Sequence, residues 1–118
     1  MKNKYFELAK KLARTSEHPD HKLGAVIVKS NTILGVGVNK LKTHPKAKNY
    51  AQRIHAELAA ILNSRTDITG ADLYVFRYTQ SGLQGISKPC DGCMAAIVES
   101  GISTVYYSTS DSYGVLNV

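Results

Sequence analysis

Two short motifs of this chain contain side chains of the types that bind zinc. The first motif is His55-Ala56-Glu57, and the second is Pro89-Cys90-Asp91-Gly92-Cys93. One imidazole and two thiolates provide three zinc ligands, and no fourth protein ligand is evident from the sequence. Structural zinc sites use four protein ligands, whereas catalytic sites use three and keep one position for water. The two motifs therefore predict a catalytic zinc site.

Glu57 follows His55 by two residues and is the candidate proton carrier of this site. Zinc lowers the pKa of a bound water molecule, so that the water becomes nucleophilic near neutral pH. A carboxylate within hydrogen-bonding reach can then act first as a base and later as an acid. We therefore predict Glu57 as the catalytic residue, which a purely structural zinc site would not need.

The spacing of the ligands predicts how they meet. Cys90 and Cys93 are three apart, so on a helix they share one face. In the first turn of that helix, free amides and the helix dipole favour thiolates by lowering the thiol pKa. His55 and Glu57 would point about 200° apart on a helix, so they converge only on a metal beyond its N-terminus. We therefore expect two helix N-termini to point at one zinc ion.

An alternative reading of Cys90 and Cys93 is a redox dithiol or a local disulfide. The upstream His-x-Glu motif argues against it, because a redox pair does not need that motif. Three further histidines lie outside the motifs, and we predict them to be loop or surface residues rather than ligands. They are His18, His21 and His44.

Hydrophobic periodicity and turn residues predict an alternation of helices and strands. The predicted helices cover residues 3–14, residues 55–64 and a segment from Pro89 to Gly101, and the predicted strands cover residues 23–28, 32–38, 72–78 and 102–107. Strand–helix–strand alternation favours parallel pairing of the later strands. A fifth strand over residues 113–118 would be antiparallel to its neighbour, because the connection is too short for a crossover. Residues 79–88 are predicted as a loop.

Gly35 and Gly37 lie in the second predicted strand. Because they have no side chains, they leave room for a backbone or a ligand to approach.

The length of 118 residues predicts one domain over residues 1–118. No apolar stretch approaches the length of a membrane span, so we expect no membrane partner. The N-terminal segment is charged and amphipathic and lacks the features of a secretory signal, which predicts a cytoplasmic location.

The net charge is +6, and the basic residues are unevenly distributed. Between Asp20 and Glu57 there is no acidic residue, while the basic residues of that interval are Lys22, Lys29, Lys40, Lys42, Lys46, Lys48 and Arg53. Clustered basic residues indicate a phosphate-bearing partner. The alternative is a solvated loop that aids solubility.

Four segments together resemble the cytidine and deoxycytidylate deaminase superfamily, and they cover most of the chain. They are residues 21–28 (HKLGAVIV), residues 35–39 (GVGVN), residues 55–61 (HAELAAI) and residues 88–93 (KPCDGC). The resemblance implies a three-layer α/β/α cytidine-deaminase-like fold with a mixed central sheet of four to five strands. It also implies Zn²⁺ on His55, Cys90 and Cys93, with Glu57 as proton shuttle.

By the same resemblance, Asn39 and Ala56 would contact the substrate in the pocket. Lys40 and Lys42 would then lie at the rim of that pocket, where they could contact a phosphate. The tyrosines at 106, 107 and 113 follow or form the last strands, and packing is the favoured interpretation of them over base stacking.

The function that the resemblance implies is hydrolytic deamination of the cytosine base of a nucleotide, of deoxycytidylate type, by zinc-bound hydroxide. The partner would be a small-molecule nucleotide, and relatives often assemble into homo-oligomers. One alternative is a cytidine deaminase acting on single-stranded DNA or RNA. Further alternatives are an adenine or guanine deaminase and a non-catalytic zinc module that binds nucleic acid.

Overall fold

The computed structural model of the chain describes residues 3–17, 21–39, 55–64 and 66–118. Helices and strands alternate in these residues much as the sequence predicts. In chain order the elements are α1 (Asn3–Arg14), β1 (Lys22–Lys29), β2 (Thr32–Val38), α2 (Ala56–Asn63), β3 (Asp72–Tyr78), β4 (Gln84–Gly85), α3 (Asp91–Ser100), β5 (Thr104–Ser108) and β6 (Tyr113–Asn117). No helix among the described residues is long and apolar enough to span a membrane.

The strands form one mixed sheet in the order β2-β1-β3-β5-β6, with the short β4 also paired to β3. β3 and β5 are parallel, and β6 is antiparallel to β5, as the sequence predicted for both pairs. The prediction that residues 79–88 form only a loop was wrong in one detail, because this segment contains the short strand β4. Tyr78 pairs with Gln84 and Arg77 with Gly85, so the chain folds back on the end of β3 before it reaches α3.

The sheet lies between α1 on one face and α2 with α3 on the other, which is the predicted three-layer arrangement. Alternate residues of β1 and β3 point to opposite faces. On the α1 face, Val26 and Phe76 pack with Ala9 in one buried cluster. On the other face, Ile27 and Val75 pack with residues of α2 and α3 in the main core.

The two helices near the predicted zinc site begin slightly later than the sequence indicated. His55 is the N-cap residue of α2, and Cys90 is the N-cap residue of α3; both have extended backbone conformations. Pro89 therefore precedes the cap instead of opening the helix. The helix ends at Gly101 in the left-handed conformation, with φ of 84°, as predicted for a glycine C-cap.

The two glycines of β2 let the backbone of α2 lie directly on the strand. A Cβ atom added to Gly37 would lie 2.6 Å from the carbonyl oxygen of Ala56, and one added to Gly35 would lie 2.6 Å from that of Ala60. The predicted close approach is therefore made by a helix backbone. Because Ala56 starts α2 and packs at Gly37, the N-terminus of α2 lies at the end of the sheet where β2 ends.

Candidate metal centre

Two helix N-termini meet at one end of the sheet. Since α3 connects the parallel strands β3 and β5, its N-terminus lies where β3 ends. Tyr78, the last residue of β3, pairs with Lys22 at the start of β1, and Gly24 pairs with Val38 at the end of β2. The N-terminus of α2 lies at this same end, on the same face. The fold thus brings the two motifs together although they are far apart in sequence.

The predicted ligand atoms are close to one another. Nδ1 of His55 lies 3.2 Å from Sγ of Cys93 and 3.5 Å from Sγ of Cys90. The three ligand atoms all lie within 4.8 Å of one another. Neither His55 nor Cys90 uses its side chain to cap its own helix, so both side chains are directed at each other instead.

These distances fit a zinc ion. Tetrahedral coordination with Zn–N of about 2.0 Å and Zn–S of about 2.3 Å places nitrogen and sulfur ligands about 3.5 Å apart. One nitrogen and two sulfur atoms are a donor set that zinc prefers among the common metals. Among the described residues, the cluster holds three ligand residues, which is the number found in catalytic zinc sites.

The thiol of Cys93 is not pre-ionised in the metal-free protein. Burial raises its pKa, and the interactions with the neighbouring Glu57 and Cys90 side chains raise it further. The expectation of a lowered thiol pKa at the helix N-terminus is therefore wrong for Cys93, because burial has the largest effect and raises the pKa. Zinc must displace the thiol proton, so metal binding will release protons and weaken at low pH.

Glu57 is buried beside the ligands, with an exposed fraction of 3%. Its Oε1 atom has no hydrogen-bond partner among the described residues. Burial raises the pKa of the Glu57 carboxyl to about 7, against the opposing effect of a hydrogen bond from its own backbone amide. A buried carboxyl group with a pKa near neutrality suits proton transfer in both directions.

Asn39 is buried, with an exposed fraction of 7%. Its Oδ1 atom accepts hydrogen bonds from the Ser16 hydroxyl at 2.6 Å and the Leu23 amide at 2.9 Å. Its Nδ2 atom donates to the carbonyl oxygen of His21 at 2.7 Å. These bonds join the end of α1 to the start of β1. Contact between Asn39 and a substrate stays a prediction.

The other predicted site residues give less information. Ala56 is fully buried and packs in the main core, so its contact with substrate also stays a prediction. Lys40, Lys42 and the remaining basic residues up to Arg53, like His18 and His44, lie outside the described residues. His21 is exposed, and its Nδ1 contacts the guanidinium group of Arg77.

Sequence reasoning missed the side chains that support this end of the sheet. Arg77 donates a hydrogen bond to the carbonyl oxygen of Ile86 at 3.2 Å, near the start of the cysteine motif. A single arginine after the apolar and aromatic run from Leu73 to Phe76 of β3 was the available signal. Ser87 and Ser108 are also buried here, and short polar residues in a loop and at a strand end carried no such signal.

Comparison with known proteins gives one consistent family. The family model for the cytidine and deoxycytidylate deaminase zinc-binding region matches residues 1–109. An uncharacterised deaminase from the luxG 3′ region of Aliivibrio fischeri is 32% identical over 111 residues, which covers 87% of this chain and 69% of that protein. The deoxycytidylate deaminase of Mycobacterium phage D29 is 30% identical, with coverage of 87% of this chain and 90% of the phage protein.

A solved structure gives the same fold. The dCMP deaminase of cyanophage S-TIM5, in complex with dCMP and dUMP, superimposes with a TM-score of 0.63 at 23% identity. The match covers 89% of this chain and 81% of that one. The family model matches nearly the whole chain, and the structure brings His55, Cys90 and Cys93 together as that family requires. The chain therefore belongs to the cytidine and deoxycytidylate deaminases, which are zinc-dependent hydrolases.

Proposed function

We propose that this chain hydrolyses the cytosine base of a nucleotide, of deoxycytidylate type, to uracil with release of ammonia. The observation that carries the proposal is the buried carboxyl group of Glu57 beside three convergent ligand residues. The similarity to the phage D29 deoxycytidylate deaminase supports a nucleotide substrate. So does the cyanophage dCMP deaminase with dCMP and dUMP bound.

His55, through Nδ1, and the sulfur atoms of Cys90 and Cys93 would hold the zinc ion. The ion would act as a Lewis acid that makes a water molecule nucleophilic near neutral pH. The protein contributes the placement of its ligands by two separate helices. His55 is placed by α2, and the two cysteines are placed by α3. The geometry of the site therefore depends on how both helices pack on the sheet.

Glu57 would move the protons of the reaction. Its carboxylate accepts a proton as the water oxygen bonds to C4 of the cytosine ring, and passes this proton to N3. It then transfers the remaining hydroxyl proton to the amino group as the C4–N4 bond breaks, so that ammonia leaves and C4 becomes a carbonyl. In the metal-free protein, burial raises the pKa of Glu57 to about 7. A bound zinc ion would favour the carboxylate, which is the form that accepts the first proton.

Substrate recognition is proposed from Asn39, Ala56, Lys40 and Lys42. Asn39 would donate the second hydrogen of its Nδ2 atom to the substrate while it keeps its three hydrogen bonds within the protein. Lys40 and Lys42 would contact the phosphate. The single-domain organisation, a cytoplasmic location and a homo-oligomeric assembly stay predictions.

The Glu57→Gln variant tests the mechanism. It keeps the size of the side chain but removes the proton carrier, so kcat/KM for dCMP should fall by about a hundredfold to ten-thousandfold. Zinc content and the circular dichroism spectrum should match those of the wild type. The matched control is Glu7→Gln, which changes an exposed carboxylate on α1 and should leave turnover unchanged. Wild-type turnover in Glu57→Gln would refute the mechanism.

The substrate class is tested by ammonia release from dCMP, deoxycytidine and a single-stranded oligonucleotide that contains cytosine. The proposal requires dCMP to be the best substrate. Turnover of the oligonucleotide alone, with binding that weakens steeply as salt increases, would replace it with a polynucleotide deaminase.

A further inference from the structure

Two buried serines near the metal centre have no part in the proposed proton transfers. Ser87 lies between β4 and α3, three residues before Cys90 in the chain, and Ser108 ends β5. Their exposed fractions are 2% and 0%. Buried hydroxyl groups need hydrogen-bond partners, and the partners of these two are backbone groups of β3, β4 and β5 together with each other's hydroxyl.

Each hydroxyl both donates and accepts. Oγ of Ser87 donates to the carbonyl oxygen of Val75 at 2.9 Å and accepts from the amide of Ser108 at 2.7 Å. Oγ of Ser108 donates to the carbonyl oxygen of Gly85 at 2.7 Å and accepts from the amide of Arg77 at 3.1 Å. The two hydroxyls also lie 2.9 Å apart, and the Ser87 amide donates to the Ser108 carbonyl oxygen at 2.9 Å.

These bonds fill a gap in the sheet. β3 and β5 pair directly only from Asp72 to Val75 on the β3 side. Beyond Val75 the segment from Gly85 to Ser87 lies between the two strands, and the serine hydroxyls take the place of the missing ladder hydrogen bonds. The chain then leaves this gap through Pro89 and enters α3 at Cys90.

We propose that Ser87 and Ser108 are positioning residues for the thiolate pair of the zinc site, an inference that rests on the ligand assignment made under the proposed function. His55 reaches the site from α2, which packs on β2 through Gly35 and Gly37. Cys90 reaches it from the other side, through a segment fixed to β3 and β5 by the serine pair. The distance between the nitrogen and sulfur ligands therefore depends on this attachment.

The attachment acts on the start of α3 more than on its body. Ile97 packs in the main core together with Val105 of β5, so the later turns of α3 stay docked without the serines. Loss of a hydroxyl would free the residues just before Cys90. Hydrogen bonds made directly to metal ligands typically change metal affinity by about tenfold to a hundredfold, and the serines, which act through the backbone before Cys90, should have an effect near the lower end of that range.

The test is zinc affinity, measured by competition with a chromogenic chelator on Ser87→Ala and Ser108→Ala. Each variant should bind zinc about tenfold more weakly than wild type while it remains fully folded at the assay temperature. The Co²⁺-substituted variants should also show a changed visible d–d spectrum, which a loss of stability alone would not cause. Equal affinity and an equal spectrum would overturn the proposal.

The control is Ser103→Ala, which removes the hydroxyl of an exposed serine. Its hydroxyl bonds the carbonyl oxygens of Gly70 and Ala71, at the opposite end of the sheet. It should bind zinc like wild type. If Ser103→Ala weakens zinc binding as much as the other two variants, the effect is general loosening and the positioning role is refuted. Failure of the wild type to bind zinc would instead refute the ligand assignment.

Hydrogen exchange on the wild type gives a test that does not depend on any variant folding. Coupling between the serine pair and the metal is reciprocal. Zinc should therefore slow exchange of the Arg77 and Ser108 amides, whose acceptors are the two hydroxyls, more than exchange of the Ser103 amide at the far end. Equal slowing of all three amides would contradict the proposal.

Discussion

The two faces of the sheet are packed with different kinds of side chain. On the α1 face, aromatic rings dominate: Tyr5, Phe6, Tyr74, Phe76, Tyr78 and Tyr106. On the α2 and α3 face, the core is made mainly of alanine, valine, leucine and isoleucine. The metal ligands lie on the second face only, so the face with aliphatic packing is the face that carries the site.

The difference shows how the fold separates stability from precision. Large rings bury much apolar area and pack through tilted and edge contacts. One example is the edge contact of Phe6 with Phe76, whose ring centroids are 6.1 Å apart. Alanine and glycine bury less, but they let a helix backbone approach a strand at a fixed distance. The face that holds the zinc site relies mainly on the second kind of packing, at Gly35 and Gly37, whereas the α1 face combines one such contact, at Gly24, with its aromatic rings.

The largest expected effect is on the aromatic face. Phe76→Ala should lower the free energy of unfolding by about 3–5 kcal/mol, because it removes a buried ring that packs against α1. Zinc affinity, measured where the variant is fully folded, should stay at the wild-type value. Chemical denaturation and chelator competition measure the two quantities.

Its counterpart on the other face is Ile97→Ala. Ile97 is fully buried and lies one turn after Cys93 on α3. This variant should lose a similar free energy of unfolding and should also bind zinc more weakly, since α3 carries two ligands. If both variants leave zinc affinity unchanged, or both weaken it equally, the division of roles between the faces is wrong.

A smaller effect concerns the pH dependence of stability in the metal-free protein. The pKa of Glu57 is raised from 4.5 to about 7 by burial. Between these pH values the unfolded chain loses a proton that the folded protein keeps, so stability falls as pH rises. The loss is complete above about pH 7 and amounts to roughly 3 kcal/mol.

The Glu57→Gln variant isolates this term, because glutamine does not titrate. The metal-free variant should become progressively more stable than the metal-free wild type from pH 4.5 to 7, and the difference should be constant above that interval. Urea denaturation at several pH values measures it. A difference that does not change between pH 4.5 and 7 would show that the pKa of Glu57 is not raised in the folded protein.

Much of the fold was predictable because its signals are local. The helix over residues 3–14 and the strands over 32–38 and 72–78 follow from periodicity, and the left-handed Gly101 ends α3 as expected. The two-residue strand β4 escaped prediction, because its polar and glycine-rich segment pairs with β3 only through long-range contacts. A strand of that length has no periodicity to detect.

The ligands were predictable from residue type, but their backbone positions were not. Serine, threonine, aspartate and asparagine are the usual N-cap residues, so nothing in the sequence marks a histidine or a cysteine as a cap. In the structure both caps are ligand residues whose side chains turn away from their own helices. The role of Ser87 and Ser108 could not be predicted from the sequence either, because their hydrogen-bond partners lie on β3, β4 and β5, which come together only in the folded protein.

The smallest expected effect comes from a pair of glycines, one on each face. Gly37→Ala would place a methyl group 2.6 Å from the Ala56 carbonyl oxygen, and Gly24→Ala would place one 2.6 Å from the Ala13 amide nitrogen of α1. Each substitution should destabilise the protein by about 1–3 kcal/mol through overpacking.

The pair compares the two faces, because the added atom is the same and each methyl group meets backbone atoms of the facing helix. The closest contact is the Ala9 carbonyl oxygen for Gly24 and the Ala60 amide nitrogen for Gly37. Gly37→Ala pushes the first turn of α2 away from the sheet and moves His55 relative to the cysteines, so zinc binding should weaken. Gly24→Ala pushes α1, which carries no ligand, and zinc affinity should not change. Chelator competition on the two folded variants decides the matter. Weaker zinc binding in Gly24→Ala would mean that the aromatic face also controls the geometry of the site.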